Sequence, residues 1–254
     1  MNHTQSYIIC ATPRSGTTLL CDLLADTGVV GRPDSFFRLA SMHSWWAEHL
    51  GVSVAEWQGE HAFDQAYLSA ILQEGAGGTQ VFGMRVMWRD FGNLVQRLDL
   101  LYPGLSSDRA RFEAAFGPMR FVYLSREDKV AQAISRVKAE RSGLWHIDAD
   151  GKERERIKVG QTPTYDARVI AEQVAAYEQH DAAWLNWFTQ QTINPVRITY
   201  EALADNPQAT LAIILSALGL DPAIAETVKP KTAKLADNES REWAARFRAE
   251  SISE

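Results

Sequence analysis

Two cysteines among 254 residues, Cys10 and Cys21, are too few for a disulfide framework. Each stands in an apolar pattern and reads as a small buried hydrophobe. No apolar stretch approaches the roughly 18 residues of a membrane-crossing helix. The start, "MNHTQSYIIC", lacks both a basic region and a long apolar core, so no secretory signal is expected and a reducing, cytoplasmic setting is. Positive charge is in deficit as well. Lys and Arg number 26 against 32 Asp and Glu, a net charge of −6, which argues against a general binder of nucleic acid or acidic membrane. HExxH and CxxC are absent, and six histidines are scattered without ligand spacing, so no metal site is expected. Repeats and low-complexity tracts are missing too. Any anionic ligand must therefore be held by a local basic site.

The chain is long enough to bury about three-quarters of its unfolded surface without a staple, and it reads as one domain over residues 1–254. "SYIICA" is a short β-branched run typical of a strand buried on both faces. Leu19, Leu20, Leu23 and Leu24 then recur at helical spacing, with a C-cap expected at Thr27-Gly28. Further strands are expected at 80–88, 120–125 and 195–200, with helices over 128–140 and 166–190 between them. Strands alternating with helices imply a mainly parallel sheet in a three-layer α/β/α arrangement. Residues 35–75, rich in Trp, His and Ala, read as a helical insertion after the first strand. The polar segment 147–163 reads as a mobile surface loop.

Between the first strand and its helix stands "ATPRSGTTLL" (11–20), which is nearly a nucleotide-triphosphate loop. Such a loop reads G-x-x-x-x-G-K-[ST]; here Ala11 replaces the first glycine and Thr17 the lysine. Backbone N–H groups at a helix start, with Arg14 as a donor fork and the hydroxyls of Ser15, Thr17 and Thr18, still make an anion site. Magnesium chemistry would want a carboxylate ending a neighbouring strand, but "RFVYLSRED" ends in Ser125-Arg126. A C-x5-R phosphatase loop counted from Cys10 would need arginine at Gly16, and no G-x-G-x-x-G follows the strand. Arg126, at a strand's carboxyl end, and Ser135, nine residues on, form a second basic constellation suited to another phosphate remote from the first. Ser125-x-x-Asp128 reads as a capping box for the helix that follows.

"TPRSGTTLL" resembles the 5′-phosphosulfate loop of sulfotransferases, and "YLSREDKVAQAIS" resembles their 3′-phosphate motif. "FGMRVMW" (82–88), "GLWH" (143–146), "PTYD" (163–166), "PVRITYEALADNP" (195–207) and "LADNESREWAARFRAE" (235–250) resemble, in order, the bacterial trehalose 2-sulfotransferase-like family. That resemblance implies a P-loop-like α/β sulfotransferase fold and the donor 3′-phosphoadenosine-5′-phosphosulfate (PAPS), used without metal. It further implies a hydroxyl acceptor of the sugar, glycan or glycolipid kind, and a homodimer. By resemblance Pro13, Arg14, Ser15, Gly16, Thr17 and Thr18 hold the phosphosulfate, with Arg14 catalytic. Arg126 and Ser135 hold the 3′-phosphate, and Lys234 closes over the nucleotide.

The departure is at the base. The family resembles this chain over "GRPDSFFR" (31–38) but carries glutamate where Ser35 stands. Serine is no base at neutral pH unless another group activates it. Asp34, His43 and His146 are the alternatives, and the change at Ser35 implies an acceptor other than trehalose. Ser35, Phe37 and Arg38, with Arg85 and Trp145, are the expected acceptor residues. Trp45, Trp46, Trp57 and Trp145 could stack on a sugar or pack in the core, to which Trp184, Trp187 and Phe188 are assigned. Two rivals stay open: an inactive nucleotide-binding descendant, and a small-molecule kinase.

Overall fold

A computed structural model of the chain describes residues 4–38, 41–52, 60–147, 152–156, 160–229 and 237–251. Its centre is a four-stranded parallel sheet in the order β2-β1-β3-β6. The strands are β1 (Gln5–Ala11), β2 (Val81–Met87), β3 (Met119–Ser125) and β6 (Val196–Thr199). All four match expected strands. Alternate side chains of β1 serve two cores. Ile8 and Cys10 join Phe82, Met84, Val86, Phe121 and Tyr123 on one face; Tyr7, Ile9 and Ala11 join Val81, Val122, Leu124 and Ile198 on the other. Both cysteines are free and buried, as their apolar settings imply.

Helices cover both faces, giving the three layers. On the first face lie α3 (Glu60–Ala76), α4 (Trp88–Leu101), α5 (Asp108–Phe116) and the second half of α7 (Ala167–Gln190). Trp184, Trp187 and Phe188 of α7 are buried there, and deleting one such side chain costs about 3–5 kcal/mol. On the second face lie α1 (Thr17–Asp26), α8 (Tyr200–Asp205) and α9 (Pro207–Ala217). The α1 helix ends at Thr27, with Gly28 beyond it at φ 69°. A third core joins α6 (Lys129–Ser142) and α7 to the last helix, α10 (Asn238–Ser251), through Ile134, Val137, Ile170 and Trp243. Among the described residues no helix is long and apolar enough to cross a membrane.

Of the insertion after β1, residues 39–40 and 53–59 lie outside the described residues; the rest includes a π-helical turn (Met42–Trp46), the short α2 (Ala47–His49) and α3. Within segment 147–163, residues 148–151 and 157–159 lie outside the described residues; Glu153–Arg156 form β5, antiparallel to β4 (Leu144–Ile147). The capping box is corrected. Asp128, not Ser125, caps α6, its side chain accepting from the Ala131 N–H. The N–H groups of Glu127 and Asp128 go instead to the Glu201 carboxylate on α8.

Sheet register lines up the strand ends, with Ala11 beside Met87 and Leu124, and Ser125 beside Thr199. Successive connections from β1 lead to opposite sides of it, so a crevice opens at these carboxyl ends, where open α/β sheets bind ligands.

Candidate functional site

The loop after β1 is fastened from behind, one carbonyl at a time. The Ala11 carbonyl accepts from Trp184 Nε1 at 3.0 Å and that of Thr12 from Ser15 Oγ at 2.7 Å. Pro13 accepts from Gln132 Nε2 at 2.7 Å, and Arg14 from an Arg126 guanidinium nitrogen at 3.2 Å. Four side chains thus satisfy four consecutive acceptors, leaving the other side of the loop for a ligand. Arg14 at φ 65° and Gly16 at φ 85° make the turn. A left-handed non-glycine residue is strained, and such strain gathers at functional sites. Gly16 caps α1 without a side-chain bond, and no acidic residue lies in the first turn. The start of α1 is therefore free to receive an anion.

A cleft of about 810 Å³ opens there, lined by Pro13, Arg14, Gly16, Thr17 and Thr18 of the loop. Nine Lys and Arg line it against four Asp and Glu, inverting the charge balance of the whole chain. Arg14 Nε donates to Ser135 Oγ at 3.0 Å, and its NH1 to the Trp145 carbonyl at 2.8 Å. The two basic motifs meet at Arg14, which contacts Ser135 through its guanidinium and Arg126 through its carbonyl. Arg126 lies over the Tyr200 ring at 4.4 Å and Arg136 over Trp145 at 4.8 Å. Burial, followed by the neighbouring Arg126 and Arg136 cations, holds Arg14 below its usual pKa despite opposing Tyr177 and Tyr200. Arg126 Nε is buried without a hydrogen-bond partner. Crowded cations and an orphaned donor are both relieved by a bound anion.

On the β2 side of the loop, Arg85 ties three pieces together. It donates to Ser35 Oγ at 2.8 Å, to Thr18 Oγ1 at 3.3 Å and to Asp34 Oδ1 at 3.3 Å. Asp34 also accepts from the Ser35 N–H at 2.6 Å. Asp34 pairs with Met84 as an isolated parallel bridge, and Ser35, the next residue, lines the cleft. His146 Nε2 lies 3.2 Å from Thr18 Oγ1 and lines the cleft.

Several expected site residues are placed elsewhere. Phe37 does not reach the cleft; it is buried against Tyr67 and Phe116, because the chain turns inward after Ser35. The Ser15 side chain is buried on the Thr12 carbonyl and offers no free hydroxyl. Trp46 is core, and Trp45 is exposed and stacked on His49, outside the cleft. Arg38, Arg85 and Trp145 do line it. Lys234, Trp57 and the side chain of His43 lie outside the described residues.

Other residues of the site carried no local signal in the sequence. Gln132 and Arg136 sit on α6 beside the expected Ser135. The far wall is α10, fastened by both Asp128 oxygens on Arg248 at 2.8 and 2.9 Å. Lys138 pairs with Asp237 and Glu239 at 2.8 and 2.7 Å. The described residues contain no group of three or more His, Cys, Asp and Glu able to hold a metal ion.

Known proteins share this sequence over most of its length. Residues 6–250 match the family described as Stf0 sulphotransferase. The trehalose 2-sulfotransferase of Mycobacterium tuberculosis (strain ATCC 35801 / TMC 107 / Erdman) is 30% identical over 262 residues, covering 96% of this chain and 94% of the relative. That of Mycolicibacterium smegmatis (strain ATCC 700084 / mc(2)155) is 29% identical over 265 residues, covering 97% and 96%. The solved sulfotransferase domain from the Curacin biosynthetic pathway aligns with a TM-score of 0.48 at 16% identity, over 98% of this chain and 99% of that one. With its family match running nearly from end to end, the chain belongs to the Stf0 sulphotransferase family.

Proposed function

We propose that this chain transfers the sulfuryl group of PAPS to a hydroxyl of a sugar, without a metal. The relatives named as trehalose 2-sulfotransferases support a sugar acceptor. The observation that carries the donor is the meeting of Arg14, Arg126 and Ser135 at the uncapped start of α1. An arginine cluster in which burial, and after it the Arg126 and Arg136 cations, lowers Arg14, with a buried orphaned Arg126 Nε, fits a ligand carrying two phosphate groups. Such a donor supplies a sulfuryl group whose departure builds negative charge on the oxygen bridging it to phosphate.

The loop is arranged to meet that charge. The first N–H groups of α1, the Thr17 and Thr18 hydroxyls and the Arg14 fork are donors fixed before the ligand arrives. Arg126 and Ser135 bind the second phosphate, with the Tyr200 ring behind the guanidinium. For the acceptor proton, His146 is the base the geometry favours. His146 Nε2 lies 3.2 Å from Thr18 Oγ1 on the lining of the cleft, beside the loop that holds the sulfuryl group. Asp34 is paired with Arg85, and Ser35 Oγ accepts from the same guanidinium. As the new sulfur–oxygen bond forms, the hydroxyl proton passes to the imidazole; the old sulfur–oxygen bond breaks toward the phosphate.

The test is transfer of radiolabelled sulfate from PAPS to a panel of sugars with a chelator present. Label on a sugar hydroxyl supports the assignment. Donor binding without transfer to any sugar would leave an inactive nucleotide binder.

A further inference from the structure

Six of the eight arginines that line the cleft fall into two groups, Arg241 and Arg248 of the α10 wall standing apart, and only one group is needed for the donor. Arg14, Arg126 and Arg136 gather at the loop and at the end of β3. Arg38, Arg85 and Arg89 line the same cleft from the β2 side, where the acceptor has to enter. Within this second group the roles differ. Arg85 is committed to Asp34, Ser35 and Thr18, so it positions the loop and the acceptor wall. Arg38 is exposed and makes no ion pair among the described residues. Among the described residues Arg89 makes one ion pair, Nε to Asp90 Oδ2 at 3.4 Å, and its side chain stays 40% exposed.

Resting on the sulfuryl-transfer reading above, we propose that the acceptor carries an oxyanion, a phosphate or a carboxylate, beside its receiving hydroxyl, and that Arg38 and Arg89 bind it. An uncharged sugar needs hydrogen bonds to its hydroxyls, for which Asp, Asn and Gln serve as well as arginine and leave no surplus charge. Here the wall offers three guanidinium groups against two carboxylates, Asp34 on Arg85 and Asp90 on Arg89, so that one positive charge, that of Arg38, is left over, and Ser35 beside Arg85 is neutral. The start of the α4 helix faces the same wall, its field partly offset by Asp90 in the first turn. The helix begins at the carboxyl end of β2 with Met87 as an extended N-cap that makes no side-chain bond, and Met87 and Arg89 line the cleft. Two guanidinium groups with free donor edges match the planar, bidentate geometry of carboxylate and phosphate.

The experiment compares acceptors built on one skeleton: glucose, glucose 6-phosphate and glucuronate, and trehalose against trehalose 6-phosphate. Each is measured for transfer from PAPS and for equilibrium binding to the 3′,5′-ADP complex. The expected result is a preference of about tenfold or more for an anionic member, the size of one charge-assisted contact. A preference for the phosphates alone, or for glucuronate alone, identifies the oxyanion. Arg38→Gln and Arg89→Gln should each raise KM for that acceptor by about tenfold while 3′,5′-ADP affinity stays within about twofold. Neutral sugars bound as well as anionic ones, no sugar bound at all, or variants that lose 3′,5′-ADP instead, would overturn the proposal. Failure of the underlying reading is seen separately, as a wild-type chain that does not bind 3′,5′-ADP.

Discussion

Gln132 Nε2 donates to the Pro13 carbonyl at 2.7 Å and to Thr12 Oγ1 at 2.9 Å, fixing the middle of α6 to the loop that leaves β1. Gln132 and Thr12 are fully buried, so the Thr12 acceptor has no water to fall back on, while Pro13 stands half-buried at the cleft. Gln132→Leu keeps the volume and removes both bonds. Leaving the two acceptors unpaired should cost about 1–3 kcal/mol of stability, read as a lower midpoint in urea with an unchanged slope. Calorimetry should show weaker 3′,5′-ADP binding, because the freed loop must be ordered by the ligand. Unchanged stability and affinity would show that the other three fastenings suffice.

Gly16 combines φ 85° with a crowded neighbour. A Cβ placed there would stand 2.6 Å from Tyr200 Cδ2, the ring that carries Arg126. Gly28 supplies the control, with φ 69° and nothing within 4 Å of an added Cβ. Both alanine variants should lose about 1–2 kcal/mol from backbone strain. Only Gly16→Ala should lose more, and only it should weaken 3′,5′-ADP by displacing Tyr200. Equal losses in the two variants would mean that Tyr200 moves aside freely.

Much of this site is legible in sequence because its signals are local. The β-branched run, the glycine turn and the leucine spacing lie within twenty residues of one another and specify β1, the loop and α1. What escaped depends on contacts across the chain. Ser125 and Asp128 have capping-box spacing, yet Glu201, 74 residues from Glu127, takes the N–H groups that Ser125 would have shared. Gln132 occupies a buried helical position, and periodicity says only that it is buried, not that it faces a loop 119 residues away. Phe37 was assigned to the acceptor through its neighbours, but the turn after Ser35 sends it into the core.

Loss of the base should separate chemistry from binding. His146→Gln should lower single-turnover transfer by about 10²–10⁴-fold with 3′,5′-ADP affinity little changed. Asp34→Asn keeps a hydrogen-bonding side chain beside Arg85 and should lower transfer far less. The reverse ranking would move the proton to Asp34.

The docking of α10 should weaken in acid. Hydrogen bonds from Lys138 and Ser240 outweigh the opposing effect of burial and bring Asp237 down to about 2. A carboxyl lowered from its unfolded value near 3.9 stabilises the fold above that pH, and loses the contribution as pH falls toward 2. Melting temperatures of the wild type and Asp237→Asn should therefore differ above about pH 5 and converge toward about pH 2. A gap that stays constant over this range would mean that the Asp237 charge is not what fastens the helix.

The central claim is that an arginine-fastened loop binds a metal-free bisphosphate nucleotide. Titration calorimetry of 3′,5′-ADP with a chelator, against ATP with magnesium, tests it most directly. The account predicts that 3′,5′-ADP binds without a divalent ion, that affinity falls as salt screens the arginines, and that Arg126→Ala weakens it by tenfold or more, about 1.4 kcal/mol. Binding of magnesium ATP with no binding of 3′,5′-ADP would contradict it.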